Sequence, residues 1–189
     1  MTEVDSLHLV LEHFGDLQVY HRAEEALGRS LTLHEVIALE FESVRAPLAE
    51  VVDFLIEHVR IRSGFRELAV AHRPLILSSG FHELIEPVLE REGVDLEVLA
   101  NRLDARPEGW RARFRDEAAC VTCDEACKRG SLPSGPIVYV GDGVSDRCAA
   151  LAADRVFARD GLARYLDGEG VAYEPFEDLL AVARALEQD

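Results

Sequence analysis

Two carboxylates four residues apart, Asp142 and Asp146, close the stretch Ile137-Val138-Tyr139-Val140-Gly141-Asp142-Gly143-Val144-Ser145-Asp146. Apolar, mostly β-favouring residues run into Gly141-Asp142-Gly143, and Val144 to Ala153 then reads as a helix. Asp142 is therefore expected at the carboxyl end of a buried strand, where open α/β sheets place their ligands. Asp146 follows on the first helical turn, close enough to share one cation or one hydrogen-bond network with Asp142. The pair has the character of half a magnesium site. Gly-Asp-Gly also describes a tight turn with an Asp helix cap, and taken alone it does not separate the two readings. A further signal is Lys128, the one lysine among 20 basic residues. In a chain so biased toward arginine, a lone lysine points to a place that needs a compact ammonium on a flexible stem, with chance as the plain alternative.

The elements that must position these groups fall into two patterns. Up to about residue 61 the periodicity is helical. A short helix over Asp5 to Phe14 closes at Gly15, and a second, Tyr20 to Leu27, ends at Gly28. Thr32-Leu33-His34-Glu35 forms a capping box that opens a third helix, and Pro47 starts a fourth with Leu48, Val51, Val52, Leu55, Ile56 and Val59 on one face. From Ser63 the pattern alternates between helix and strand, which argues for a parallel sheet. It predicts a helix over Gly64 to Arg73, a strand from Pro74 to Leu77 ending in Ser78-Ser79-Gly80, and a helix from Phe81 to Arg91 in which Pro87 marks a kink or a looser first half. Leu96 to Leu103 and Trp110 to Phe114 read as a hairpin, and Arg115 to Pro136 as irregular. The organising strand and its helix follow, then a strand at Arg155 to Ala158 and helices at Leu162 to Leu166 and Phe176 to Leu186.

Composition bounds the function. A chain of 189 residues with 48% apolar content is one domain of ordinary size with enough apolar matter for a core. It lacks a bilayer-length apolar run and a basic-then-apolar leader, so a soluble, cytoplasmic protein is expected. A net charge of −16 argues against nucleic-acid or anionic-membrane partners, since such binding is driven by Lys and Arg neutralising phosphates. A small anionic substrate then needs a local positive device. The seven histidines are scattered and read as surface or satisfied core rather than ligands.

Ser78, Lys128 and the Asp142/Asp146 pair occur in a fixed order. In that order, with Leu75-Ile76-Leu77-Ser78-Ser79-Gly80-Phe81 and Val138 to Asp146 as quoted, the chain resembles the haloacid dehalogenase superfamily, in the branch of phosphoserine phosphatases that carries a helical cap after the first motif. The likeness covers nearly the whole chain. It implies a doubly wound parallel α/β core over 1–15 and 62–189 and a small helical cap over 16–61. It also implies Mg²⁺-dependent hydrolysis of a small phosphorylated metabolite through a phospho-aspartyl intermediate, the substrate being phosphoserine-like or a methionine-salvage enol-phosphate. Ser78, Lys128, Asp142 and Asp146 would be catalytic, Asp142 and Asp146 would hold the metal, and Asp5, Ser79, Gly80 and Gly143 would contact substrate. The chemistry agrees: hydroxyl, amides, ammonium and cation together answer the charge of a phosphate monoester. A phospho-accepting receiver is disfavoured, because it places its acidic cluster early and its lysine late.

One part of the resemblance has no counterpart. The family's first motif, Asp-x-Asp-x-Thr or Ser, supplies the nucleophile and the acid–base group, and no two aspartates here have that spacing. The chain begins with residues that look like those following the motif. We therefore expect the native polypeptide to start upstream of Met1 with the motif in the added residues, and this chain as written to be inactive. The alternative is a catalytically inactive relative that binds a phosphorylated ligand or a partner. Cys120-x2-Cys123-x3-Cys127 just before Lys128 suggests a metal more than a disulfide in a reducing compartment. Similar clusters in methionine-salvage relatives imply structural Zn²⁺. The sequence offers no evident fourth ligand, Cys148 reads as core, and free thiols are the preferred reading.

Overall fold

The computed structural model describes residues 1–188. They form two compact units that interleave along the chain, one of Met1–Arg62 with Ser78–Arg115 and the other of Ser63–Leu77 with Asp116–Asp189. Strands and helices alternate from residue 63 onward, so the expected α/β class holds.

The first unit opens on α1 (Ser6–Phe14), whose Asp5 side chain accepts from the Leu7 amide, and α2 (Leu17–Ala26), capped in the same way by Asp16. α3 (Leu33–Glu42) carries the full Thr32/Glu35 capping box, and α4 (Leu48–His58) starts immediately after Pro47. Strand β1 (Ile76–Phe81) enters this unit at Ser78 and is followed by α6 (His82–Glu92), which runs through Pro87 without interruption, and by the antiparallel hairpin of β2 (Val98–Asp104) and β3 (Arg111–Arg113). The sheet order is β1-β2-β3. The core lies where the apolar stripes of α1, α3, α4 and α6 meet: Phe41, Phe81 and Trp110 are almost fully buried, with Phe41 edge-on to Phe81 at 4.8 Å between ring centroids. Trp110 keeps its polar edge satisfied by donating Nε1–H to the Ala46 carbonyl at 3.0 Å.

In the second unit α5 (Phe65–His72) packs against α9 (Leu179–Leu186). Strands β4 (Val138–Gly141), β5 (Arg155–Ala158) and β6 (Glu174–Pro175) form a parallel sheet in that order. α7 (Arg147–Ala150) and α8 (Asp160–Glu169) complete the unit, with Tyr139, Ala149, Val156, Ala158, Leu162 and Leu166 as its core.

Several boundaries differ from expectation, among them the starts of α2 and α9, at Leu17 and Leu179 instead of Tyr20 and Phe176. β1 is shifted, so that Ser78-Ser79-Gly80 lies within the strand instead of after it. The helix expected over Val144 to Ala153 is a 3₁₀ turn, Val144–Asp146, followed by the single turn of α7. α8 is longer than its apolar residues indicated, and β6 had no sequence signal. The strands lie in two three-stranded sheets, with β1, which bears Ser78, and β4, which runs into Asp142, each at one end. Before α1 the chain makes one isolated antiparallel bridge, Thr2 with Ile61.

Candidate functional site

Asp146 is the hub of the second unit's polar site. It is 5% exposed, and both of its carboxylate oxygens are fully used. Oδ1 accepts from Lys128 Nζ at 2.7 Å and from the Tyr139 hydroxyl at 2.8 Å. Oδ2 accepts from the backbone amides of Asp142 and Gly143, each at 3.0 Å. Four donors for four lone-pair positions satisfy a buried carboxylate completely.

Local folding explains how the side chain gets there. β4 ends at Gly141, and the chain tightens into a 3₁₀ turn that swings Asp146 back under the strand end. A Cβ at position 141 would lie 2.8 Å from Asp146 Cγ, so only glycine lets the carboxylate close on the turn. On the other side, the loop preceding Leu132 forms a short 3₁₀ turn over Lys128–Ser131 that packs against α7 and delivers the ammonium.

The electrostatics follow from these contacts. Burial by itself would push the Asp146 carboxyl up. The Lys128 ammonium, its hydrogen bond, the Gly143 amide and the Tyr139 hydroxyl outweigh that, and the group ends below the ordinary carboxylate range. The Tyr139 phenol is pushed far up, by burial first and then by the Asp146 charge, so it is a permanent donor. Asp142 differs from Asp146 in kind: its carboxylate is exposed, while its backbone amide is committed to Asp146. An exposed pair of hard oxygens at a strand end suits a cation such as Mg²⁺, whereas the oxygens of Asp146 are already taken.

Of the residues singled out from sequence, Lys128, Asp142, Gly143 and Asp146 are brought together here. Asp5, Ser78, Ser79 and Gly80 lie in the first unit. There Ser78 Oγ accepts the Gly80 amide at 3.0 Å, the buried Asn101 side chain donates to the Ser79 carbonyl at 2.8 Å, and Asp5 caps α1. Sequence reasoning missed Tyr139 and Asn101, which read as strand residues. It also missed Glu40 on α3, 5% exposed with Oε1 unpartnered. Burial first, then the charges of Glu24 and Asp5, push the Glu40 carboxyl up to about 8.

The four cysteines come together in the second unit. Cys148 is buried but is not an isolated core residue: its sulfur stands 3.8 Å from Cys120 Sγ, and the sulfurs of Cys120, Cys123, Cys127 and Cys148 all lie within 4.8 Å of one another. The fourth sulfur of this cluster, which the sequence did not reveal, comes from α7.

The sequence model of the haloacid dehalogenase-like hydrolase family matches residues 3–151. A 2-hydroxy-3-keto-5-methylthiopentenyl-1-phosphate phosphatase of Geobacillus kaustophilus is 26% identical over 206 aligned positions, covering 100% of this chain and 91% of the relative. Pdp3-interacting factor 1 of Schizosaccharomyces pombe is 24% identical with the same coverage, 100% and 91%. Among solved structures, phosphoserine phosphatase from T. onnurineus superposes with a TM-score of 0.63 at 18% identity, covering 89% of this chain and 80% of that one. Its likeness is one of fold.

Proposed function

Because the chain belongs to the haloacid dehalogenase-like hydrolases, we propose that it is a phosphomonoesterase acting on a small phosphorylated metabolite, of the enol-phosphate kind named in its curated relatives. The observation that supports this most is the saturated Asp146 carboxylate, which fixes Lys128 with one oxygen and the Asp142-Gly143 turn with the other. An ammonium has three donors. One is spent on Asp146, and the others remain for phosphoryl oxygens and for a carboxylate nucleophile. Asp142 would hold Mg²⁺, with Asp146 acting by orienting the turn, and the ion when bound would neutralise charge on the phosphate. Ser78, with the amides of Ser79 and Gly80, would receive phosphoryl oxygens, and Asp5 and Gly143 would contact substrate. Residues 1–15 and 62–189 would then be the catalytic core, and 16–61 the cap from which substrate choice comes. On this reading the enzyme works in the cytoplasm on a free metabolite.

A phospho-aspartyl intermediate needs an Asp-x-Asp, and none of the 189 residues supplies one. A second reading is a protein that binds a phosphorylated ligand without cleaving it. The two are separated by isolating the polypeptide from its own cells and measuring intact mass and phosphate release together. A mass above 21.0 kDa with Asp-x-Asp in the added peptide, and Mg²⁺-dependent release, is the expected result. A mass equal to this chain with ligand binding but no release would establish the second reading instead.

A further inference from the structure

We propose that Cys120, Cys123, Cys127 and Cys148 form a tetrathiolate site for one Zn²⁺, and that this ion staples the loop carrying Lys128 to the helix that follows Asp146. The site stands independently of the phosphatase reading, since it rests on sulfur positions and local backbone geometry.

Zinc bound by four cysteines is tetrahedral with bonds of about 2.3 Å, so its sulfurs stand about 3.8 Å apart along every edge. Cys120 and Cys148 are separated by 3.8 Å, and no pair in the group exceeds 4.8 Å. The spacing is far above the roughly 2.05 Å of a disulfide bond. It is also too tight for an iron–sulfur cluster, which spreads its thiolates over separate irons.

The backbone around the first two cysteines is shaped for metal-bound thiolates. Cys120-x2-Cys123 closes a tight loop in which the Asp124 amide donates to the Cys120 carbonyl at 2.9 Å and the Cys120 amide donates to the Glu125 carbonyl at 3.0 Å. Asp124 takes a left-handed conformation, φ 58°, to complete the turn. Inside it the Thr122 amide points at Cys120 Sγ, 3.4 Å away, as a donor to a charged sulfur does.

Binding releases four protons, one from each thiol to solvent, and leaves a site of charge −2 with no change of oxidation state. The basic residues Lys128, Arg129 and Arg147 adjoin the ligands in sequence. Arg129 also ties the loop to α7, donating to the Cys148 carbonyl at 3.3 Å. Cys127 directly precedes Lys128 and Cys148 lies two residues past Asp146, so one ion fixes both ends of the Lys128–Asp146 pair.

The test uses the full chain, purified under reducing conditions without chelator. We expect one Zn²⁺ per chain by elemental analysis. Co²⁺ exchanged into the protein should give thiolate-to-cobalt charge-transfer absorption with tetrahedral d–d bands. Competition against a chromophoric chelator should show the Cys148→Ser variant binding Zn²⁺ at least about a hundredfold more weakly, since even outer partners of a metal site are worth tenfold to a hundredfold. Cys123→Ser, at an exposed position, gives the same reading without disturbing a buried packing site. Metal removal should speed amide hydrogen exchange in residues 120–131. Four freely reactive thiols with substoichiometric zinc, iron in place of zinc, or wild-type zinc affinity in either variant would overturn the site. Unchanged exchange after zinc removal would overturn the staple.

Discussion

At the scale of single residues, the Asp146 carboxylate decides what its neighbours must be. Tyr139→Phe removes one of four donors to a buried charge, and should cost about 1.5–3 kcal/mol in urea unfolding. Gly141→Ala pushes a methyl into Asp146, and should cost about 1–3 kcal/mol as overpacking with loss of the turn. The two buried carboxyls respond to pH in opposite directions. Asp146 is held below its unfolded value, so its stabilisation is present above that value and is lost as pH falls through the folded pKa. Glu40 is held up at about 8, so the folded state keeps it neutral; stability is lost as pH rises from its unfolded pKa, about 4.3, toward the folded one. Glu40→Gln should flatten that alkaline loss, read as unfolding midpoints at about pH 6 and pH 8.5; a variant with the wild-type slope would contradict the assignment. The acidic pair and Lys128 were legible because charges at a strand end and a lone lysine have few other uses. Tyr139 and Cys148 were hidden, since a tyrosine in a β-favouring run and a cysteine among alanines look like packing until the partners are seen.

At the scale of elements, capping chemistry was the most readable signal. The Thr32/Glu35 box starts α3 where expected because it satisfies orphan amides locally, whatever the rest of the chain does. Thr32→Ala should therefore cost about 1 kcal/mol in chemical denaturation. Elements set by distant contacts were misjudged. Ser78 to Gly80 has weak strand propensity, yet extends β1 within the sheet order β1-β2-β3, with Asn101 from β2 bonding the Ser79 carbonyl. The helix after Asp142 is cut short because Asp146 reaches back to the two amides behind it and tightens the first turn into 3₁₀ form. Apolar periodicity carries neither fact.

At the scale of the molecule, interleaving of the two units limits how the chain can be divided. The apolar faces of α3 and α4 are covered within their unit by Phe81, Leu84, Val88 and Trp110, which come from beyond residue 77. A fragment of residues 1–62 should consequently lack a cooperative thermal transition by circular dichroism, and a sharp melt of that fragment would show that the early helices form a domain of their own. The order of Ser78, Lys128, Asp142 and Asp146 made the family legible from sequence, whereas the split into two three-stranded sheets depends on pairings that no local pattern encodes. The central claim is phosphate-ester hydrolysis dependent on Asp142 and a divalent cation. Its most direct test is phosphate release from 2-hydroxy-3-keto-5-methylthiopentenyl-1-phosphate, with and without Mg²⁺, by the natively isolated polypeptide and its Asp142→Asn variant. The account predicts Mg²⁺-dependent release that falls by about a hundredfold or more in a variant that remains folded; release that is unchanged in the variant, or absent from the native polypeptide, would contradict it.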